Sequence, residues 1–331
     1  MKKIYLILSV FVVVFTSCET DFDVNSDWEE TTVVFGLLDA AKDTQFLKIS
    51  KAFLGESDAL QMAQHADSIN FNEGELDVKV IRVNNGSADT ITLIEIRRLR
   101  DEGDFNDSIV LYTFENFEFV SNSLNQYTNF LNSNSEYELL IKNNITGNSV
   151  SSTTEIIKGF NFSAGIPNSD RLTFYVDGLG FRFPRFEWSS VNSPNAEIFQ
   201  FNLRFNYKEN EVEKELLWTQ TALGGNDNLL ILSGEEFFHQ FLANNLEVLD
   251  SDDEREFINI DIEMILGTQE LKTYIAVNEP ITGIVQERPQ FSNINNGIGL
   301  FSSRYTKVYP GLSLNADSEK YIIEELGLNF K

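Results

Sequence analysis

A period-two alternation of apolar and polar residues recurs along most of this chain, and it constrains the fold more than any other feature. In the segment AEIFQFNLRFNYKEN one set of alternate residues is apolar and the other is mostly polar: Phe199, Phe201, Leu203 and Phe205 against Ile198, Gln200, Asn202 and Arg204. Successive side chains of a β-strand point to opposite faces of the sheet, so this pattern predicts a strand with one buried face. Similar runs separated by turn-rich segments predict a mainly β protein.

Residues 31–160 contain the first group of predicted strands, with the sequences TVVFGLL, QFLKISK, ELDVKVIRV and TITLIEIR. The stretch YELLIKNNITGNSVSSTTEI predicts a hairpin whose loop contains Asn144 and Gly147. Several short strands with regular turn signals favour an immunoglobulin-like β-sandwich for these residues. The segment ESDALQMAQHADS predicts one helix within this first module.

Residues 161–331 predict a second β-rich domain with accessory helices. Its strand-like runs are FEWSS, AEIFQFNLRFNYKEN, EVEKELLWTQT and FINIDIEMILG. Ser233 stands three residues before Glu236, a capping-box spacing that predicts a helix in SGEEFFHQFLANNLE. The segment SEKYIIEELGLN predicts a short helix that ends near Gly327. The predicted architecture is therefore mainly β, with two β-sandwich-like modules and a few helices.

Residues 1–17 predict a lipoprotein signal peptide. Lys2 and Lys3 precede an apolar run from Ile4 to Phe15, which is shorter than the roughly 20 residues that span a bilayer. The residues VFTS before Cys18 resemble a bacterial lipobox, which implies cleavage before Cys18 and acylation of its sulfur and its amine. Several acyl chains on one residue give stable membrane attachment. The alternative is a plain export signal whose cleavage site lies beside a buried cysteine.

Charge and cysteine content narrow the function further. The chain has 25 basic and 51 acidic residues, and loss of Lys2 and Lys3 with the signal leaves a net charge of −28 from 23 basic and 51 acidic residues. Phosphate backbones repel such a chain, so no nucleic acid partner is expected. Cys18 is the only cysteine, and acylation leaves no thiol for disulfides, metals or nucleophilic attack. Residues 18–30 predict an acidic tether between the lipid and the folded body.

No catalytic residue, cofactor or metal is predicted. The only histidines are His65 and His239, and no GxSxG, HExxH or Walker sequence is present. His239 follows Glu235 by one helical turn, a spacing that favours a solvated pair over a zinc site. His65 lies beside Asp67, which is compatible with a base and its orienting group, but adjacent polar residues near a helix end are common.

The acidic loop 250–256 leaves calcium binding open. Asp250, Asp252 and Glu254 occupy the first, third and fifth positions of a calcium loop, but Arg255 stands where the EF-hand has glycine. A solvated acidic loop is therefore favoured.

Two further sets of residues are candidates for modification or binding. Three Asp-Ser/Thr-Ile triplets resemble an O-glycosylation acceptor pattern of Bacteroidetes envelope proteins, which implies Ser68, Thr90 and Ser108 as candidate acceptors. Trp188, Trp218 and Tyr305 are candidate interface anchors because aromatic residues dominate binding hot spots. Core packing is the alternative for each of the three aromatic residues.

The motifs VVFGLLD, KAFLG and FSNINNGIGLF resemble a Bacteroidetes family of outer-membrane lipoproteins that is catalogued only as a domain of unknown function. Members are often encoded beside TonB-dependent transporters. The resemblance implies a lipid-anchored outer-membrane protein, on the periplasmic or the cell-surface face, whose partner is such a transporter or another envelope protein. Two functions follow: a non-catalytic accessory or binding component, or an envelope enzyme such as a carboxylate-based glycan hydrolase. The scarcity of histidine and the lack of catalytic motifs favour binding.

Overall fold

The computed structural model describes residues 31–52, 69–99, 108–120, 126–166, 170–189, 193–223, 228–250, 253–279 and 290–331. The predicted signal peptide, Cys18, the acidic tether and the predicted helix that contains His65 lie outside these residues. Within them the chain forms short and long strands and three helical segments, so the prediction of a mainly β fold is confirmed.

The strands are β1 (Thr31–Asp39), β2 (Thr44–Ala52), β3 (Leu76–Asn84), β4 (Ser87–Thr92), β5 (Ile94–Leu99), β6 (Ser108–Glu115), β7 (Phe117–Val120), β8 (Gln126–Asn129), β9 (Glu136–Asn143), β10 (Ser149–Glu155), β11 (Phe162–Ala164), β12 (Arg171–Leu172), β13 (Tyr175–Val176), β14 (Gly180–Phe181), β15 (Arg185–Trp188), β16 (Ile198–Glu209), β17 (Val212–Leu223), β18 (Leu229–Ile231), β19 (Arg255–Gly267) and β20 (Gly297–Leu314). Helix α1 runs through Gly234–Glu236, a π-helical stretch at Phe237–Leu242, and Ala243–Asn245. The other helices are α2 (Gln269–Asn278) and α3 (Ala316–Glu324).

The first module is a sandwich of two sheets with the immunoglobulin strand order. Strands β1, β2, β6 and β5 are hydrogen-bonded in that order, and β4, β3, β9 and β10 form the facing sheet. In immunoglobulin lettering these orders are ABED and C′CFG. Side chains from both sheets fill the core between them, among them Val34, Leu47, Val80, Tyr112 and Leu139.

Local chemistry explains two features of this sandwich. Asn85 and Gly86 link β3 to β4 with positive φ angles of 47° and 84°, as a two-residue hairpin turn of type I′ requires. Near the start of β9, the buried Tyr137 hydroxyl donates to the Phe130 carbonyl at 2.8 Å and accepts from the Asn132 N–H at 2.7 Å. This is the tyrosine corner found in immunoglobulin-like sandwiches.

Strand β20 joins the two halves of the chain into one long sheet. Its first half pairs parallel with β1, and its second half pairs antiparallel with β19. The resulting order is β17-β16-β19-β20-β1-β2-β6-β5. Phe301 of β20 belongs to the core of the first sandwich.

Glycines make the close approach of β20 and β1 possible. A Cβ at Gly299 would overlap the carbonyl oxygen of Val34, and Gly299 has a φ of +120°. A Cβ on Gly297 would lie 2.8 Å from the carbonyl oxygen of Thr32. The motifs VVFGLLD and NNGIGLF therefore meet along one seam.

The second module packs its elements over one face of β17, β16, β19 and β20. The alternation in β16 is confirmed, since Phe199, Phe201, Leu203 and Phe205 are all buried in one core. Sheet β11-β15-β18, hairpin β13–β14 and helices α1 and α3 contribute to the same core. The predicted cap of α1 is also confirmed, because the Ser233 hydroxyl accepts from the Glu236 N–H at 3.3 Å.

Candidate functional site: a tyrosine cleft with an acidic rim

Hairpin β13–β14 packs beside α3 and the middle of α1, and two tyrosines line a small cleft there. The rings of Tyr175 and Tyr321 are 4.6 Å apart at an angle of 41°. The cleft has a volume of about 60 Å³. We call it the tyrosine cleft, lined by Tyr175, Asp177, Asp317, Lys320, Tyr321, Glu324 and Glu325.

A buried serine holds the hairpin to the helix. Ser318, in the first turn of α3, is fully buried, and its hydroxyl accepts from the N–H groups of Phe174 and Tyr175 at 3.0 and 2.9 Å. The Asn315 side-chain amide donates to the Tyr175 carbonyl at 3.0 Å. Asp317 accepts from the Asp177 N–H at 3.1 Å. These bonds fix the position of Tyr175 relative to α3, so the cleft is built into the fold.

Further aromatic groups support Tyr321. Phe181 contacts Tyr321 edge-on with ring centres 5.6 Å apart, and it makes a second edge contact with His239 at 5.6 Å. The exposed His239 places its Nε2 atom 3.1 Å from the Tyr321 hydroxyl. His239 therefore belongs to an aromatic cluster, and Tyr321, not Glu235, is its hydrogen-bond partner among the described residues.

The rim of the tyrosine cleft is acidic. Four carboxylates surround it, and Lys320 supplies the only cation of the lining, 3.6 Å from Glu324. Burial, followed by the negative charge of Glu325, raises the pKa of Tyr321 above its usual value. The phenol therefore stays neutral at physiological pH. Neutral aromatic faces beside carboxylates attract a cationic group.

A second concavity lies where the modules meet, with Glu155, Asn195, Glu197, Thr268, Gln269 and Glu270 around about 200 Å³. Its carboxylates already have partners within the protein. Glu155 accepts from the Asn195 side chain at 2.7 Å, Glu270 accepts from the Thr268 hydroxyl at 2.6 Å, and Glu197 lies 3.4 Å from the ammonium of Lys272. This arrangement favours a structural role for the three glutamates.

The predicted interface aromatics lie elsewhere. Trp188 is only 5% exposed and packs against Phe160 and Phe199, so its prediction as a surface anchor is wrong. Trp188 is the last residue of β15, and like Phe186 it lies on the side of that strand that faces the aromatic core. Trp218 stacks on Phe241 at 5.4 Å, and Tyr305 is partly buried against the same core.

The predicted modification sites and the acidic loop are only partly described. Thr90 is exposed on β4, Ser68 lies outside the described residues, and only the backbone of Ser108 is described. Asp252 also lies outside them. Arg255, in the position of the EF-hand glycine, is 3% exposed and forms an ion pair with Glu209 at 2.7 Å.

In the part of the chain that the structure covers, no three His, Cys, Asp or Glu side chains are grouped as metal ligands. No described helix combines the length and the hydropathy needed to cross a membrane. No protein-family model matches this chain, and no curated protein has significant sequence similarity to it.

No sequence motif singles out Tyr175 or Tyr321 as a binding residue. The segment FYVDGLGF does contain a turn signal, namely Gly178 and Gly180 flanked by aromatic residues. In the structure both glycines have positive φ angles, of 72° and 76°. Its packing against α3, far along the chain, left no local signal.

Proposed function

We propose that this protein is a non-catalytic lipoprotein of the outer membrane, anchored through Cys18, that binds an envelope partner through the tyrosine cleft. The partner is a TonB-dependent transporter or another envelope protein, and it presents a basic side chain to the cleft. The observation that carries the binding role is the pairing of Tyr175 and Tyr321 under an acidic rim. Interface hot spots are rich in tyrosine, and arginine is the commonest cation on aromatic faces.

The anchor rests on the sequence around Cys18 and is tested by metabolic labelling. Cells that produce the intact chain are grown with radioactive palmitate, and the Cys18→Ser variant serves as the comparison. The intact chain takes up the label and fractionates with the outer membrane, whereas the variant remains an unlabelled precursor. Membrane retention and labelling of the variant would contradict the assignment.

The binding role is tested by crosslinking in cells and pull-down of the lipoprotein. The variant Asp177→Asn/Glu324→Gln/Glu325→Gln removes three rim charges on exposed side chains, for which we expect only small effects on stability. Recovery of a reproducible partner should fall at least tenfold with this variant. The matched control, Asp43→Asn/Glu73→Gln/Glu213→Gln, removes three exposed acids elsewhere and should leave recovery unchanged. Equal recovery with both variants counts against the cleft.

The second candidate function is a glycan hydrolase whose site is the second concavity, where the two modules meet. The observation in its favour is the presence of Glu155, Glu197 and Glu270 around one concavity. Hydrolases of this kind need two carboxyl groups that flank the scissile bond. Release of reducing sugar from envelope glycans, abolished by Glu155→Gln, would support it; no release by the folded protein would exclude it.

A further inference from the structure

One face of the first sandwich points away from its core and carries a stripe of apolar side chains. Phe46 of β2 and Ile94 of β5 both pair with Thr113 of β6, so the two side chains lie on the same face. Phe35 of β1 lies on this face as well, because its neighbours Val34 and Gly36 point into the core. Ile298 of β20 lies on the same face beside Val33, and helix α2 borders this face, since the ring of its Tyr274 is 5.8 Å from that of Phe35.

These four side chains, which we call the apolar stripe, are exposed. The exposed fractions are 41% for Phe35, 39% for Phe46, 67% for Ile94 and 46% for Ile298. If a large apolar side chain can expose about 200 Å², the stripe presents roughly 400 Å². A patch of this size on a monomer is often a binding surface.

Basic groups accompany the stripe in a chain that is otherwise strongly acidic. Lys48 is exposed on the outward side of β2, and the guanidinium of Arg98 lies 5.4 Å from the ring centre of Phe46. Arg304 also lies on this face, beside the buried Asp39. The exposed acid among the outward strand positions is Glu115, at the far end of β6. Among the described outward side chains of β1, β2, β5 and β6, the exposed cations Lys48 and Arg98 outnumber the exposed acid Glu115, while Arg304 is paired with Asp39.

The stripe also lies close to the point where the chain leaves the predicted anchor. Phe35 is the fifth residue of β1, which begins at Thr31. If Cys18 carries the lipid, as in the proposed function on which this step rests, residues 18–30 can span at most about 45 Å. The tether therefore joins the folded body in the first sandwich, at the start of β1.

We propose that the apolar stripe docks on the lipid–water interface of the anchoring membrane. The interface accepts apolar side chains at the level of the headgroups and places lysine and arginine next to lipid phosphates. Phe35, Phe46, Ile94 and Ile298 provide the apolar contacts, and Lys48 and Arg98 face the phosphates.

The proposal is tested with the unlipidated mature chain, residues 18–331 with Cys18→Ser. The protein is sedimented with sucrose-loaded vesicles of phosphatidylethanolamine and phosphatidylglycerol, and the bound fraction is measured. The variant Phe35→Ser/Phe46→Ser should lower the bound fraction at least tenfold. The control Phe183→Ser/Val248→Ser removes two apolar residues of the second module that lie outside the long sheet and are 61% and 75% exposed, and it should bind like the parent.

A second variant keeps the apolar stripe but reverses its charge. The parent should bind vesicles that contain anionic phosphatidylglycerol better than vesicles of neutral phosphatidylcholine, and Lys48→Glu/Arg98→Glu should abolish this difference. This result does not depend on whether the serine variant folds. Failure of the parent chain to sediment with any vesicle, or equal binding by the serine variant, overturns the proposal. Concentration-dependent dimers that the serine variant abolishes, without vesicle binding, would assign the face to a second copy. Palmitate labelling is unaffected by these outcomes, so failure here leaves the anchor standing.

Discussion

Replacing Glu209 with glutamine tests how the last residues of the chain are held to the second module. Arg255 is 3% exposed, and Glu209 accepts from its Nε and Nη2 atoms at 2.9 and 2.7 Å. The remaining Nη1 group donates to the carbonyls of Glu247 and Leu328, and the Arg255 backbone bonds to Asn329. The carboxylate of Glu209 is thus the charge that neutralises a buried guanidinium.

The expected cost follows from that geometry. Removing one partner of a buried ion pair costs about 3–5 kcal/mol because the other charge remains buried and uncompensated. The glutamine amide oxygen can still accept one hydrogen bond, and the Glu209 side chain is 16% exposed. We therefore expect Glu209→Gln to lower the free energy of unfolding by about 3 kcal/mol at pH 7, near the lower limit of that range.

The same substitution predicts a pH dependence. The side-chain hydrogen bond from Lys214, and then those from Arg255, hold the pKa of Glu209 below its usual value. A carboxyl group with a lowered folded-state pKa contributes stability that is present above its unfolded pKa and is lost as the pH falls through the folded pKa. The difference between parent and Glu209→Gln should therefore shrink below about pH 4.

Urea unfolding followed by tryptophan fluorescence measures both effects, since Trp188 and Trp218 pack in or against the core of this module. Glu213→Gln, an exposed acid on the same hairpin, is the control and should change stability by less than about 0.5 kcal/mol. A Glu209→Gln protein within 0.5 kcal/mol of the parent at pH 7, or a difference that persists unchanged on acidification, would refute the reasoning.

Two further predictions concern the first sandwich and its seam. Gly299→Ala should lower the free energy of unfolding by about 2–4 kcal/mol, because the new Cβ would overlap the Val34 carbonyl oxygen and the φ angle is unfavourable for alanine. Gly311→Ala is the control: its φ is +73° but no atom lies near the new Cβ, so the loss should be only about 1–2 kcal/mol. Thermal and urea unfolding compare the pair, and equal costs would argue against a tight seam. Tyr137→Phe should lower the free energy of unfolding by about 1–3 kcal/mol, because the Asn132 N–H loses its acceptor and the Phe130 carbonyl keeps only weaker donors such as Arg82. Tyr112→Phe should be neutral or stabilising, because the buried Tyr112 hydroxyl has no hydrogen-bond partner among the described residues, and a loss similar to that of Tyr137→Phe would contradict this.

Local patterns predicted those parts of the fold in which neighbouring elements are close in sequence. The hairpin of β9 and β10 was predicted from two alternating runs around Asn144 and Gly147, and α1 from the spacing of Ser233 and Glu236. Helix α2 was missed because Leu271 is its only buried residue, so its sequence lacks a clear apolar stripe. Pairing of β20 with β1 was also missed, since a parallel pairing between the two ends of a chain leaves no signature in either strand.

The tyrosine cleft could be predicted only in part, because it too depends on contacts between residues that are far apart in the sequence. The aromatic turn around Gly178 and Gly180 is visible in the sequence, but the cleft exists because Ser318 and Asn315 bind the backbone of that turn. Hydrogen bonds between a serine and a distant backbone N–H have no periodicity to detect. The enrichment of aromatic residues in interfaces made Trp188 a candidate anchor, but the same size and apolar character suit it to the core, where it lies.

The motifs VVFGLLD and FSNINNGIGLF supply the residues of the seam between β1 and β20, so their role in the structure is to join these strands. Gly299 in FSNINNGIGLF lets β20 approach the backbone of β1, while Gly36 in VVFGLLD leaves room for the core side chains Leu47 and Phe301. Asp39, the last residue of the first motif, is 1% exposed and accepts from the Thr306 hydroxyl at 2.7 Å in β20. These residues therefore help to hold the two modules together. Tyr175 and Tyr321 pack against the core of the second module, so substitutions of these two residues should leave the seam between β1 and β20 intact.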